Sequence, residues 1–159
     1  MTRPRSNAVR GFTIAELITV CGIIAVLSAI ALPVARFGFR RQKEIELRDS
    51  IRRVTDAIDK WHDYKVAGRI KAQFSLTQGD YPKELDDLVK PVELLPDGKK
   101  VRLLRERDLI DPMTGKKEWI TLSSTDDPDT RSSNEDNIFE VHSKSTALAL
   151  DGKTHYNEW

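Results

Sequence analysis

Glu16 is a lone carboxylate at the mouth of an apolar run that extends to Ala35, just after Gly11-Phe12-Thr13. A charge at membrane depth is costly and marks a functional position by default. The chemistry open to it is ion pairing. No counter-charge lies beside it within the run, so its partner has to be created by processing of the chain or supplied by another subunit.

Other residues that could do chemistry are scattered. His62, His142 and His155 share no metal-ligand spacing, Ser123-Ser124 and Ser132-Ser133 have no base partner, and no glycine-rich phosphate loop occurs. The expectation is therefore a chain that is not an enzyme. A single cysteine, Cys21, rules out an intrachain disulfide and reads as a small side chain facing lipid or a neighbouring helix.

The element that must position Glu16 is a helix over residues 12–35. Its 24 residues at about 1.5 Å each extend roughly 36 Å, enough to cross a hydrocarbon core of about 30 Å. A secretory signal peptide has a shorter apolar core and is cut after it; here the plausible cutting point, Gly11, precedes the run. Arg3, Arg5 and Arg10 flank the run on one side and Arg36, Arg40, Arg41 and Lys43 on the other, so the basic-residue bias gives no orientation. Ala15, Thr19, Gly22, Ala25 and Ala29 are low-bulk positions that permit close helix contact. Pro33 predicts a kink, or a locally melted turn in an assembled filament, over 27–33, with Gly38 a second soft point.

Arg10-Gly11-Phe12-Thr13-x-x-Glu16, the apolar run and Ala31-Leu32-Pro33 together resemble the class III signal of type IV pilins and type II secretion pseudopilins. The resemblance covers about the first quarter of the chain. It implies cleavage after Gly11 by a prepilin peptidase on the cytoplasmic face of the inner membrane, N-methylation of Phe12, and a head on the periplasmic side. The formal charge of +1 would then fall: 23 Lys and Arg against 25 Asp and Glu leave −2 without the leader 1–11. A new α-amino group at Phe12, with a reference pKa of about 7.7–8.0, would be largely cationic. It is the natural counter-charge for Glu16 of a neighbouring subunit.

After Pro33 the pattern changes. Leu47, Ile51, Val54, Ile58 and Trp61 alternate four and three apart and predict one apolar stripe on a helical continuation, 36–68, that ends near Gly68. Packing on a sheet is the expected use of that stripe; a short coiled coil is the alternative. Within 69–159, a short helix is expected over 83–90 with Leu85, Leu88 and Val89 inward. Strands are expected over 101–104, 118–122, 137–143 and 147–150. Asp80-Tyr81-Pro82, Asp97-Gly98, 111–115 and Asp151-Gly152 read as turns. One long helix ahead of short strands predicts an α+β fold, pilin-like, with an antiparallel sheet on the stripe.

Tyr81-Pro82, Leu85, Leu88, Asp111-Pro112, residues 139–143, Asp151-Gly152 and Trp159 extend the resemblance to the major pseudopilin of type II secretion. That family implies a homopolymer working as a periplasmic piston, with an inner-membrane assembly platform and minor pseudopilins as further partners. A surface type IV pilin is the alternative, for which the basic cluster Lys99, Lys100, Arg102, Arg105 and Arg107 would be the nucleic-acid-binding feature to test by salt dependence. Major pseudopilins order their C-terminal region around calcium. Candidate ligands are Asp126, Asp127, Asp129 and Asp136 with Asn134 and Asn137 in one patch, and Asp151 with Glu158 and residues from Ser143 onward in the other. The family's glycine-rich loop before its Asp-Gly is absent here, replaced by Ser143-Lys144-Ser145-Thr146-Ala147-Leu148-Ala149-Leu150.

Overall fold

The computed structural model describes residues 11–70, 78–127, 130, 133–134 and 136–159. The fold is α+β: one long helix at the N-terminal end and a head containing two small antiparallel sheets. The chain divides into two compact units, Met1–Phe39 and Arg40–Trp159. Helix α1, Ile14–Val66, contributes to both.

Thr13 starts α1. Its hydroxyl accepts the backbone N–H of Glu16 at 3.2 Å, the N-cap arrangement that satisfies one of the helix's open donors. In the first unit the helix is continuous through 27–33 despite Pro33, so no turn is melted in the single chain. The proline removes one backbone bond there, and the flanking Ala and Leu residues are strong helix formers. The other end closes at the expected glycine. Gly68, at φ +66°, lets its own N–H reach the Lys65 carbonyl and that of Arg69 reach Tyr64, a Schellman closure.

In the second unit the predicted stripe is the core face of α1. Leu47, Val54, Ile58 and Trp61 are buried and Ile51 is partly buried, while the small residues Ser50 and Ala57 complete the same face. Facing them are Leu88, Val92, Leu94, Leu104, Leu109, Trp119, Val141 and Tyr156. The stripe therefore packs into a globular head, not a coiled coil.

Helix α2, Leu85–Val89, is shorter than the expected 83–90. Glu84 and Asp87 form a reciprocal cap at its start, and Pro91 forces Lys90 into extended backbone at its end. Leu88 is fully buried, and Leu85 and Val89 pack against the core as expected. Strand β1, Val92–Leu94, pairs with β2, Lys99–Val101, through a turn at Gly98. β1 was not predicted: Pro91 and Pro96 bracket it so closely that it reads as loop. The strand expected over 101–104 stops at Val101 instead. Leu103 and Leu104 turn away, and both donate to the Leu88 carbonyl, at 3.2 and 3.0 Å.

Strands β3, Trp119–Leu122, and β4, Glu140–Ser143, make the second sheet, with Trp119 opposite Ser143 and Leu122 opposite Glu140. The segment 147–150 forms no strand, only an isolated bridge between Leu148 and His155. Asp151 turns the chain too tightly for a ladder, its carboxylate accepting the N–H groups of Lys153 and Thr154 and the Thr154 hydroxyl.

Candidate functional site

Three features of the chain bear on function: the apolar half of α1 with Glu16, the loops that carry the candidate calcium ligands, and the fastening of the C-terminal segment.

In the first unit every described residue is exposed, and none of the most apolar stretch of α1 is buried. By length and composition this helix is a candidate membrane span. Phe12 is 76% exposed and Phe39 74%, with Ile14, Leu17, Ile18, Ile23, Val26 and Ile30 bare between them. A soluble monomer does not leave a surface of this kind open to water. Glu16 occupies the first turn. Among the described residues no hydrogen-bond donor or cation contacts its carboxylate; the cap at Thr13 uses the Glu16 backbone. A carboxylate in the first turn is favourably placed against the helix dipole. Gly11 and Phe12 are exposed and lie ahead of the helix. The leader arginines, Arg3, Arg5 and Arg10, lie outside the described residues.

The five aspartates expected as calcium ligands are divided between two loops. Asp126 accepts the Ser123 N–H at 2.7 Å through one oxygen and the Asn134 N–H at 3.2 Å through the other. The Ser123 N–H, helped by that of Asn134 and by the Ser133 hydroxyl, holds the Asp126 carboxyl below the usual carboxylate range. Asp151 is held down to about 2, first by the Lys153 N–H and then by the Thr154 hydroxyl and N–H. Both carboxylates thus order their own loops. Asp127 and Asp136 are exposed, and Asp129 lies outside the described residues. Among the described residues no group of three or more His, Cys, Asp or Glu side chains converges to hold an ion.

Two carboxylates fix the head: buried Asp111, expected only as part of a turn, and half-buried Glu44, for which the sequence carried no expectation. Asp111, fully buried, accepts the Ser143 hydroxyl at 2.8 Å and the Met113 N–H at 2.8 Å, tying the 111–115 turn to β4. Glu44, on α1, accepts the Leu150 N–H at 2.7 Å and the Tyr156 hydroxyl at 3.0 Å. Burial of Tyr156, reinforced by Glu44, pushes the phenol's pKa up. Trp159 closes the same region. Its indole N–H donates to Thr154, its ring meets Tyr156 edge-on and lies under Arg48 at 4.3 Å, and its carbonyl faces His142 Nδ1 at 2.6 Å. The periodicity of α1 gave no signal for Glu44, because its partners lie 106 and 112 residues away.

No family model matches the chain, and no curated protein or solved structure matches it either. The functional reading therefore rests on residues and geometry.

Proposed function

We propose that the chain is a structural filament subunit of the type IV pilin-like kind, the pseudopilus subunit of type II secretion. The observation that carries this reading is the pairing of two facts about one helix. Its front half presents an uncovered apolar surface on every side. Its first turn carries a carboxylate that no described residue neutralises, five residues after Gly11. A bilayer would cover the apolar surface of a single subunit; the same half-helices of other copies would cover it in a filament. Cleavage after Gly11 would leave a cationic amine on Phe12, and Glu16 of the adjacent copy would pair with it, setting the axial step between subunits.

The head fits this role. Its core closes around the rear of α1, while Ile45, Val66, Ile110, Phe139 and Leu148 stay exposed on its surface. It holds its C-terminal segment without a disulfide, through Glu44, Tyr156 and Trp159, which suits the pseudopilin branch better than the disulfide-tied pilins. In this reading the N-terminus is cytoplasmic and the head periplasmic. The prepilin peptidase, the assembly platform and minor pseudopilins are its partners, and its work is mechanical. Pro33 would provide the place where the packed helix yields.

The deciding experiment is co-expression with a prepilin peptidase, followed by intact mass and electron microscopy. The expected product begins at an N-methylated Phe12 and forms filaments. A chain that keeps Met1 and assembles nothing refutes the reading.

A further inference from the structure

Charge is unevenly shared along this chain. Residues 36–107 carry 18 Lys and Arg against 13 Asp and Glu, whereas residues 108–159 carry 5 against 11. The first stretch has a surplus of five positive charges and the second a surplus of six negative ones, although the whole chain is nearly neutral at +1. Such separation favours association of unlike surfaces and disfavours that of like ones.

Five of these basic residues, with Glu46, Asp56 and Asp108 among them, line two adjoining grooves of about 560 and 530 Å³ between α1 and the 102–112 segment. Arg53, Arg105 and Asp108 line both; Arg107 lines the first, Arg102 and Lys60 the second. Asp108 lies between two guanidinium groups, 3.3 Å from Arg53 Nε and 3.9 Å from Arg107 Nε, and so holds them in place. Arg102, Arg105 and Lys60 are exposed and have no acidic partner among the described residues. Arginine forks of this kind match planar carboxylates. Nucleic acid suits the groove poorly. No aromatic side chain lines it to stack a base.

We infer that this groove receives the acidic loop of a second copy of the chain, with the exposed carboxylates of Asp127 and Asp136 as the groups bound. The groove and the loop are different patches, so the contact is heterologous and leaves a free groove and a free loop on every pair. It therefore does not close an isologous dimer, and along a filament it repeats from one copy to the next. The inference rests on the filament reading and gives it a polar contact between heads, separate from the Glu16 pairing.

The test uses the full chain with prepilin peptidase, in a Cys21→Ala background. Arg105→Cys and Asp127→Cys are expressed singly and together, then oxidised. A disulfide-linked dimer is expected when both are present and from neither alone. Arg105→Glu is expected to cut filament yield at least tenfold, and adding Asp127→Arg to restore most of it. Filaments that assemble without the mixed dimer, or a charge swap that fails to rescue, overturn the inference and leave the filament reading intact. A dimer from Arg105→Cys alone overturns it too, because like patches would then be meeting. An uncleaved chain without filaments fails the filament reading itself, and this inference with it.

Discussion

Replacing Glu44 tests how the head holds its C-terminal segment. One oxygen of Glu44 accepts both the Leu150 N–H and the Tyr156 hydroxyl. Hydrogen bonds to a charged group are worth about 1.5–3 kcal/mol each. Glu44→Ala removes both. Leu150 is half-buried and its N–H recruits water at modest cost, but Tyr156 is 2% exposed and its hydroxyl is left behind a closed surface. The sum is about 3 kcal/mol, or a melting point lowered by roughly 10 °C for a head of this size. Tyr156→Phe removes one donor and leaves Glu44 its bond to Leu150, so about 1–2 kcal/mol is expected. The double variant should fall short of the sum by about 1 kcal/mol, because the two side chains share one bond. The Tyr156 phenol adds a pH signature. Its folded pKa is raised, so its contribution is complete below the ordinary value of about 10 and is lost as pH rises through the shifted one. All three tryptophans, Trp61, Trp119 and Trp159, lie in the second unit, so their fluorescence in the detergent-solubilised chain reports unfolding of the head. Additive variants, or a Glu44→Ala melt within 2 °C of the parent, would refute the argument.

Three more outcomes follow from the loops and turns. Asp111→Ala strands the Ser143 hydroxyl and the Met113 N–H in a fully buried site and should destabilise the head by about 3 kcal/mol in denaturant unfolding, whereas Asp111→Asn, which keeps one acceptor, should cost less than half of that. The folded pKa of Asp151 is depressed to about 2, so its contribution is present above the unfolded value of about 3.9 and is lost as pH falls from there toward 2; parent and Asp151→Asn melting points should differ at pH 5 and converge near pH 2. Asp126→Ala should lower the melting point by the same amount in calcium and in chelator, because its oxygens serve the Ser123 and Asn134 N–H groups; a loss seen in calcium alone would assign the carboxylate to an ion.

The apolar pattern was legible where it is local and periodic. Leu47, Val54, Ile58 and Trp61 are spaced for one helical face and are buried on it, and Gly68 ends that helix for the reason its conformational freedom suggests. Hydrophobic spacing said nothing of Ser50 and Ala57, which are buried on the same face because small side chains let the head approach. The strand at 92–94 was hidden by its flanking prolines, and 147–150 has strand-like composition but is bent by Asp151. The residues of the proposed site and of the head's fastening divide in the same way. Gly11, Phe12, Glu16 and Pro33 stand in a fixed local order that can be read along the chain. Asp111 and Glu44 acquire meaning from partners 32 and more than 100 residues away, which no local pattern records.

Thr13 and Glu16 have the spacing of a capping box, and this sets a competing explanation for the carboxylate that matters most. Half of the box is formed: the Glu16 N–H donates to the Thr13 hydroxyl. A glutamate kept merely to cap the helix would reach back to the Thr13 N–H, and glutamine would do that nearly as well. A glutamate kept to pair with the Phe12 amine of a neighbour would not be replaced by glutamine, because the amine would then be left buried and uncompensated, at a cost of several kcal/mol per subunit contact. Glu16→Gln and Glu16→Ala should therefore be equally defective in filament yield, while both are still inserted in the membrane and cleaved after Gly11. Thr13→Ala, which removes the formed half of the cap, should cost about 1 kcal/mol of local helix stability and leave assembly near normal. Filaments from Glu16→Gln at the parental level would assign the carboxylate to the cap and remove the charge pair from the proposed mechanism.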